Sequence, residues 1–255
     1  RCSHWLSAEA SKPLGNQERA IAAHAENAMA ARGIRVIAVA LRAGDQALDN
    51  EPLEALDNDL CLIGLVGLYD PPRPEVPEAI RLCRKAGIKV TMVTGDAGLT
   101  AQAIARQIGL LDPEPGDGHS SGFDPVRVIE GCTLERISDL QLRHLLKYRT
   151  RLVFARMSPE QKLRLVQAYR QLGDVVAVTG DGVNDAPALR AADVGVAMGR
   201  IGTDVAREAA DIVLLDDNFA TVVEAVRYGR GVVSNIRKFI TYILVANIAE
   251  ATPFF

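Results

Sequence analysis

The chain lacks features that would narrow its role at once. It has no excess of basic charge: 29 Lys and Arg stand against 32 Asp and Glu, a formal net charge of −3. Nucleic-acid binding through a general basic surface is therefore excluded, because affinity for phosphate backbones rests on clustered Lys and Arg. Cys-x-x-Cys pairs are also absent. Cys2, Cys61, Cys83 and Cys132 are widely spaced, which argues against a zinc site or a disulfide scaffold and leaves reduced thiols in a cytosolic setting. No initiator methionine and no targeting sequence precede "RCSHWL", and the sequence stops at "ATPFF" inside an apolar run, so it reads as a piece of something longer.

What is present is a globular composition: 48% hydrophobic and 24% charged residues over 255 positions, enough for two modest domains or one large one. Gln17 to Arg32 has helical periodicity and "IRVIAVAL" reads as a strand. Arg42 to Asp59 is polar and reads as a loop. "LCLIGLVGLYD", Leu60 to Asp70, is nearly all apolar and must end at Pro71-Pro72, which cannot continue a ladder; a hinge or domain boundary is expected there. Helix "PEVPEAIRLCRKAG", with Val76, Ile80 and Cys83 on one face, strand "KVTMVTGD" and helix "AGLTAQAIARQIGL" follow. "DPEPGDGHSSGFDP" is rich in Pro, Gly and Ser and reads as a surface loop. After strands "VRVIEG" and "RLVFAR", Ser158-Pro159-Glu160-Gln161 marks a helix start with a capping serine, proline at the first helical position and glutamine at the reciprocal capping position. "DVVAVTGD", "DVGVAMG" and "DIVLLD" are short apolar strands separated by helices. Strands without polar alternation, spaced by helices, predict an α/β fold with a Rossmann-like parallel sheet covered on both faces.

In such a sheet ligands gather beyond the carboxyl ends of the strands. Polar clusters fall at such ends here. Thr94-Gly95-Asp96 offers a hydroxyl and main-chain donors at a helix start, suited to a phosphoryl oxygen; simple helix capping is the competing explanation. Lys162 lies one turn inside the helix after "VFARMSPE", where it can neutralise a phosphoryl group or merely be solvated. In "TGDGVNDAPAL", Gly180 and Gly182 permit a tight turn and close approach of a ligand. Asp181 projects a hard oxygen of the kind magnesium prefers, Asn184 can donate a hydrogen bond, and Asp185 can orient its neighbours. An acidic turn accounts for part of that run and not for all of it. Together the clusters describe a phosphoryl-transfer site in which magnesium and lysine neutralise charge and Thr94 with Asn184 positions the phosphate. No strand ends in an aspartate with the partners expected of a phosphoryl-accepting nucleophile.

"DPPRPEV", "MVTGD", "VFARMSPEQK", "TGDGVNDAPAL", "ADVGVAMG" and "DIVLLDDNF" resemble, in order and spacing over essentially the whole chain, the P-type cation-transporting ATPases of the calcium or sodium/potassium-pump group. The phosphorylation domain of that family is haloacid-dehalogenase-like. The resemblance implies the end of a nucleotide-binding domain over 1–66, a phosphorylation domain over 67–236 and the start of a transmembrane helix over 237–255. It implies ATP as substrate and Mg2+ as cofactor. Thr94, Gly95, Asp96, Lys162, Asn184 and Asp185 would serve catalysis, with Asp181 on magnesium and Asp185 beside it. Arg35 would touch nucleotide phosphates, and Asp70, Arg73, Asp96 and Arg156 correspond to hinge and ribose-side positions, for which ordinary hinge ion pairing is the alternative. The family's nucleophile lies in an Asp-Lys-Thr-Gly-Thr motif that this sequence lacks; by the resemblance it belongs upstream of residue 1.

The tail extends the transport reading. Phe239 to Phe255 resembles the start of the family's fifth membrane helix, flanked by Arg237-Lys238 on the cytoplasmic side, against the alternative of a buried core helix. Asn247 and Glu250, three residues apart on one helical face, stand where pumps of this family hold their ion, and Pro253 could free carbonyls beside them. The implied parent is a multi-pass membrane protein with residues 1–236 cytoplasmic, whose partners are ATP, a transported cation and lipid. Two alternatives stand beside it. A soluble haloacid-dehalogenase-like phosphatase would need its own nucleophilic aspartate, and a non-catalytic fragment would only bind nucleotide or magnesium.

Overall fold

A computed structural model describes residues 2–6, 11–42, 59–111 and 127–251. The loop expected over "DPEPGDGHSSGFDP", most of the Arg42–Asp59 loop and the end of the tail, Pro253 included, lie outside them. The chain divides into two compact units, Arg1–Arg73 with Val90–Gln161, and Pro74–Lys89 with Lys162–Phe255.

The first unit contains β1 (Cys2–Leu6), β2 (Ser11–Pro13), α1 (Asn16–Ala30), β3 (Arg35–Leu41) and β4 (Leu60–Leu68). They form a four-stranded sheet in the order β2-β1-β4-β3. The apolar β4 is central because it pairs on both sides, parallel to β1 and antiparallel to β3, with Arg35 opposite Leu68. It ends before Asp70, as the two prolines require. The same unit holds a parallel sheet of β5 (Thr91–Val93), β7 (Leu152–Ala155) and β6 (Arg127–Glu130), with β7 in the middle. All four residues of β7 are buried, which explains its unbroken apolar sequence. Helices α3 (Gly98–Gln107), α4 (Gly131–Arg136) and α5 (Asp139–Tyr148) complete the unit. Leu134, Leu142, Leu146 and Phe154 are fully buried in its core.

The second unit contains α2 (Val76–Lys85) and a parallel sheet in the order β10-β9-β8, built from β8 (Ala177–Gly180), β9 (Val194–Met198) and β10 (Ile212–Leu214). On α2, Ile80 and Cys83 are buried and Val76 half-buried, the face expected from their spacing. Helices α7 (Ala186–Ala191) and α8 (Asp204–Ala209) cover this sheet, where Leu189, Ala197 and Ala206 form one apolar cluster. Burying a leucine such as Leu189 stabilises by about 1.5–3 kcal/mol. The sheet is not buried throughout. Ala177, Thr179, Ile212 and Val213 are exposed, because three strands leave two edges while only β9 is flanked on both sides.

α6 (Pro159–Gln171) crosses from one unit to the other after Gln161. Its start is the expected capping box: the Gln161 N–H donates to Ser158 Oγ at 3.3 Å, and the Ser158 N–H donates to Gln161 Oε1 at 3.0 Å. The last helix, α9 (Phe219–Ala251), is one continuous element. Arg230 ties it to α2 by donating to the Ala86 carbonyl at 3.1 Å. Residues 237–251, expected to begin a transmembrane helix, are its final turns. Among the described residues no helix is long and apolar enough to cross a membrane.

Candidate functional site

After Gly180 the chain turns through a 3-10 turn, Val183–Asp185, into α7. Asp185 organises this turn. Its Oδ2 accepts from the N–H groups of Asp181 at 3.3 Å and Gly182 at 3.1 Å, and its Oδ1 accepts from Lys162 Nζ at 2.7 Å. The two side chains keep only 17% and 15% of their exposure. Such a charge-assisted bond is strong, and removing one partner would strand the other charge. Gly180 is fixed by the same packing, because a Cβ there would lie 2.6 Å from Asp185 Cβ. Gly182 is under no such constraint: it is extended at φ −102° and ψ 163°, and its nearest neighbour to an added Cβ is Asp185 Oδ2 at 3.5 Å.

The Asp181 carbonyl accepts from the Thr203 N–H at 2.8 Å. Its main chain is thus held on the amide side by Asp185 and on the carbonyl side by Thr203, while the residue itself is exposed. Asn184 is likewise exposed within the turn. Among the described residues there is no group of three or more His, Cys, Asp or Glu side chains placed to hold a metal. The exposed Asp181 carboxylate is a hard oxygen donor of the class magnesium takes. Asp181 is the open carboxylate, since both oxygens of Asp185 are engaged within the protein.

In the first unit, Thr94 Oγ1 donates to Asp96 Oδ2 at 3.0 Å and accepts from the Asp96 N–H at 3.1 Å. The pair therefore closes on itself, and α3 starts later, with Ala97 at its N-cap position and no side-chain cap. Main-chain bonds join this turn to the end of β7: Arg156 N–H donates to the Asp96 carbonyl at 2.9 Å and Met157 N–H to the Thr94 carbonyl at 3.0 Å. Arg156 sits at φ 52°, a left-handed conformation uncommon outside glycine. Arg35, Asp70 and Arg73 are exposed, Arg35 at the start of β3 and the others beyond the end of β4.

Residues 5–193 match the haloacid dehalogenase-like hydrolases. The chain belongs to that family. Within it, the chain is 48% identical over 222 residues to a calcium-transporting ATPase of Bacillus subtilis, a match covering 87% of this chain and 23% of the relative. It is 46% identical over 225 residues to the sodium/potassium-transporting ATPase subunit alpha-3 of Oreochromis mossambicus, covering 82% of this chain and 22% of the relative. Against the alpha-1 subunit of Catostomus commersonii the identity is 48% over 213 residues, 77% of this chain and 20% of that one. The chain thus spans about a fifth of the length of these relatives.

In this haloacid dehalogenase-like chain the expected site residues form two groups. Thr94, Gly95, Asp96 and Arg156 come together in the first unit, and Lys162, Asp181, Asn184 and Asp185 in the second. Asn247 is exposed on α9, and Glu250 lies on the same helix with its side chain outside the described residues. The residues that brace Asp181 from behind had not been singled out from sequence. Thr203 caps α8 by accepting from the Ala206 N–H at 3.3 Å, and a Thr-Asp pair before an apolar helical stretch was an available signal. Asp217, buried at 5% exposure, accepts from the N–H groups of Arg200 and Ile201. Those main-chain donors, Arg200 first, hold its carboxyl below the usual carboxylate range. Glu160 is lowered as well, by its own main-chain N–H and the Ser158 hydroxyl at the start of α6.

Proposed function

We propose that the chain is the C-terminal part of the catalytic region of an ATP-driven cation pump working through an aspartyl-phosphate. Residues 1–66 would close its nucleotide-binding domain, 67–236 would form most of its phosphorylation domain, and 237–255 would begin a membrane helix carrying Asn247 and Glu250 to the ion. The parent would be a multi-pass membrane protein with residues 1–236 in the cytoplasm. The observation that carries this reading is the Lys162–Asp185 pair beneath an exposed Asp181, at the carboxyl end of a parallel strand, in a chain so close to cation-transporting ATPases.

The residues divide the work by chemistry. Lys162 and Asp185 hold the Asp181–Gly182 main chain in place, so that little reorganisation is needed when charge develops nearby. Thr94 and Asn184 would position phosphoryl oxygens by hydrogen bonding, and Arg35, Asp70, Arg73, Asp96 and Arg156 would serve the nucleotide. Bound at Asp181, magnesium would neutralise phosphoryl charge. The nucleophile is missing from this set. β5 and β8, whose ends carry the two clusters, are each an edge strand of their own parallel sheet. The isolated chain would therefore bind without turnover.

Labelling with γ-32P ATP and magnesium tests this. The 255-residue chain should acquire no hydroxylamine-sensitive phosphate, whereas a chain extended by its upstream coding sequence should acquire it on an Asp-Lys-Thr-Gly-Thr aspartate. Acylphosphate on the present chain, or an upstream sequence without that motif, would sink the proposal.

A further inference from the structure

The turn after β9, residues 199–203, is held through several of its main-chain groups. Asp217 Oδ1 accepts from the Arg200 N–H at 2.9 Å and Oδ2 from the Ile201 N–H at 3.0 Å. The Gly199 N–H donates to the Leu214 carbonyl at 2.8 Å. From the other side Arg207 Nη1 donates to the carbonyls of Gly199 at 3.0 Å and Gly202 at 2.6 Å, while its second nitrogen pairs with Asp204. Gly202 has no space for a side chain, which would collide with the Met198 carbonyl.

This bracing is expensive for a surface turn. A carboxylate is withdrawn from water, which is tolerated only when its oxygens are well hydrogen-bonded. Asp217 also adopts φ 53°, in the left-handed region. What leaves the braced turn is the Thr203 N–H, bonded to the Asp181 carbonyl at 2.8 Å. With the Asp181 amide already on Asp185 at 3.3 Å, both peptides flanking Asp181 are pinned, and only the side-chain torsions of Asp181 stay open.

We infer that Asp217 is a positioning residue for Asp181: it locks the 199–203 turn so that Thr203 holds the Asp181 main chain where its carboxylate can meet a magnesium ion. The inference rests on the reading of Asp181 as the magnesium ligand. Magnesium demands near-ideal octahedral geometry, so a ligand whose backbone drifts binds it less well, and outer partners of metal ligands commonly matter by about 10–100-fold in affinity.

The test is a magnesium titration of the whole chain, followed by the amide resonance of Asp181, with hydrogen exchange of the Thr203 amide read in the same samples. Asp217→Asn keeps the shape but turns an NH2 toward one of the two main-chain donors. It should speed Thr203 exchange and weaken magnesium about tenfold, while Asp216→Asn, which alters the neighbouring carboxylate bonded to Thr221, should change neither. Arg207→Lys loosens the same turn from its carbonyl side and should reproduce the effect, so the test survives if Asp217→Asn folds poorly. Asp181→Asn separates the two readings. If it leaves the titration unchanged, or the wild-type Asp181 resonance ignores magnesium, the magnesium reading fails and takes the inference with it. If Asp181→Asn abolishes binding but Asp217→Asn and Arg207→Lys bind as the wild type does, the positioning role is overturned and the magnesium reading stands.

Discussion

Lys162 Nζ lies 2.7 Å from Asp185 Oδ1, while the other oxygen of that carboxylate holds the amides of Asp181 and Gly182. The lysine is thus bonded to a carboxylate of the same loop whose main chain it helps to fix. Its charge acts on the candidate site through the turn it stabilises.

The pair should be energetically coupled. Lys162→Met and Asp185→Asn should each lower the free energy of urea unfolding by about 2–4 kcal/mol, short of the fully buried limit because both side chains keep some solvent contact. Lys162→Met combined with Asp185→Asn should cost less than the two single changes added, by about 1–2 kcal/mol. Strict additivity would mean that the bond contributes nothing beyond its parts.

Packing separates the glycines of the turn. Gly180→Ala brings a methyl against a side chain held by Lys162 and two amides, and should destabilise by about 1–3 kcal/mol in urea unfolding. Gly182→Ala meets only ordinary contact and should cost no more than about 1 kcal/mol. Equal losses at the two positions would contradict the contacts described here.

Asp217 sets a pH dependence of known sign. Its carboxyl is depressed in the folded chain by the Arg200 and Ile201 amides. Its contribution is present above the unfolded carboxylate value, about pH 4, and is lost as pH falls through the lower folded value. The gap in Tm between wild type and Asp217→Asn should therefore be widest above about pH 5 and should narrow as pH falls below about 4. Thermal melts across that range check it, and a gap indifferent to pH would show that the charge of Asp217 is not what stabilises the turn.

The sequence by itself determined much of this protein. Apolar runs without alternation marked β4, β7 and β9, prolines stopped β4, and Ser158 with Gln161 marked the start of α6; each is a short-range signal, set by residues within a turn or a ladder of one another. It also placed hydroxyl, carboxylate and amide groups just after strand ends, the residue types on which the proposed phosphoryl chemistry rests. The β1 strand carries no such mark, since "CSHWL" has neither alternation nor a long apolar run and is held by pairing to β4. Only the tertiary structure decided how the site is held. Lys162 meets Asp185 across 23 positions, and Asp217 reaches Asp181 through a turn it does not adjoin. A hydrogen bond depends on where two groups end up in space, and for residues on different strands and helices that is fixed by sheet order and packing, which no local pattern encodes.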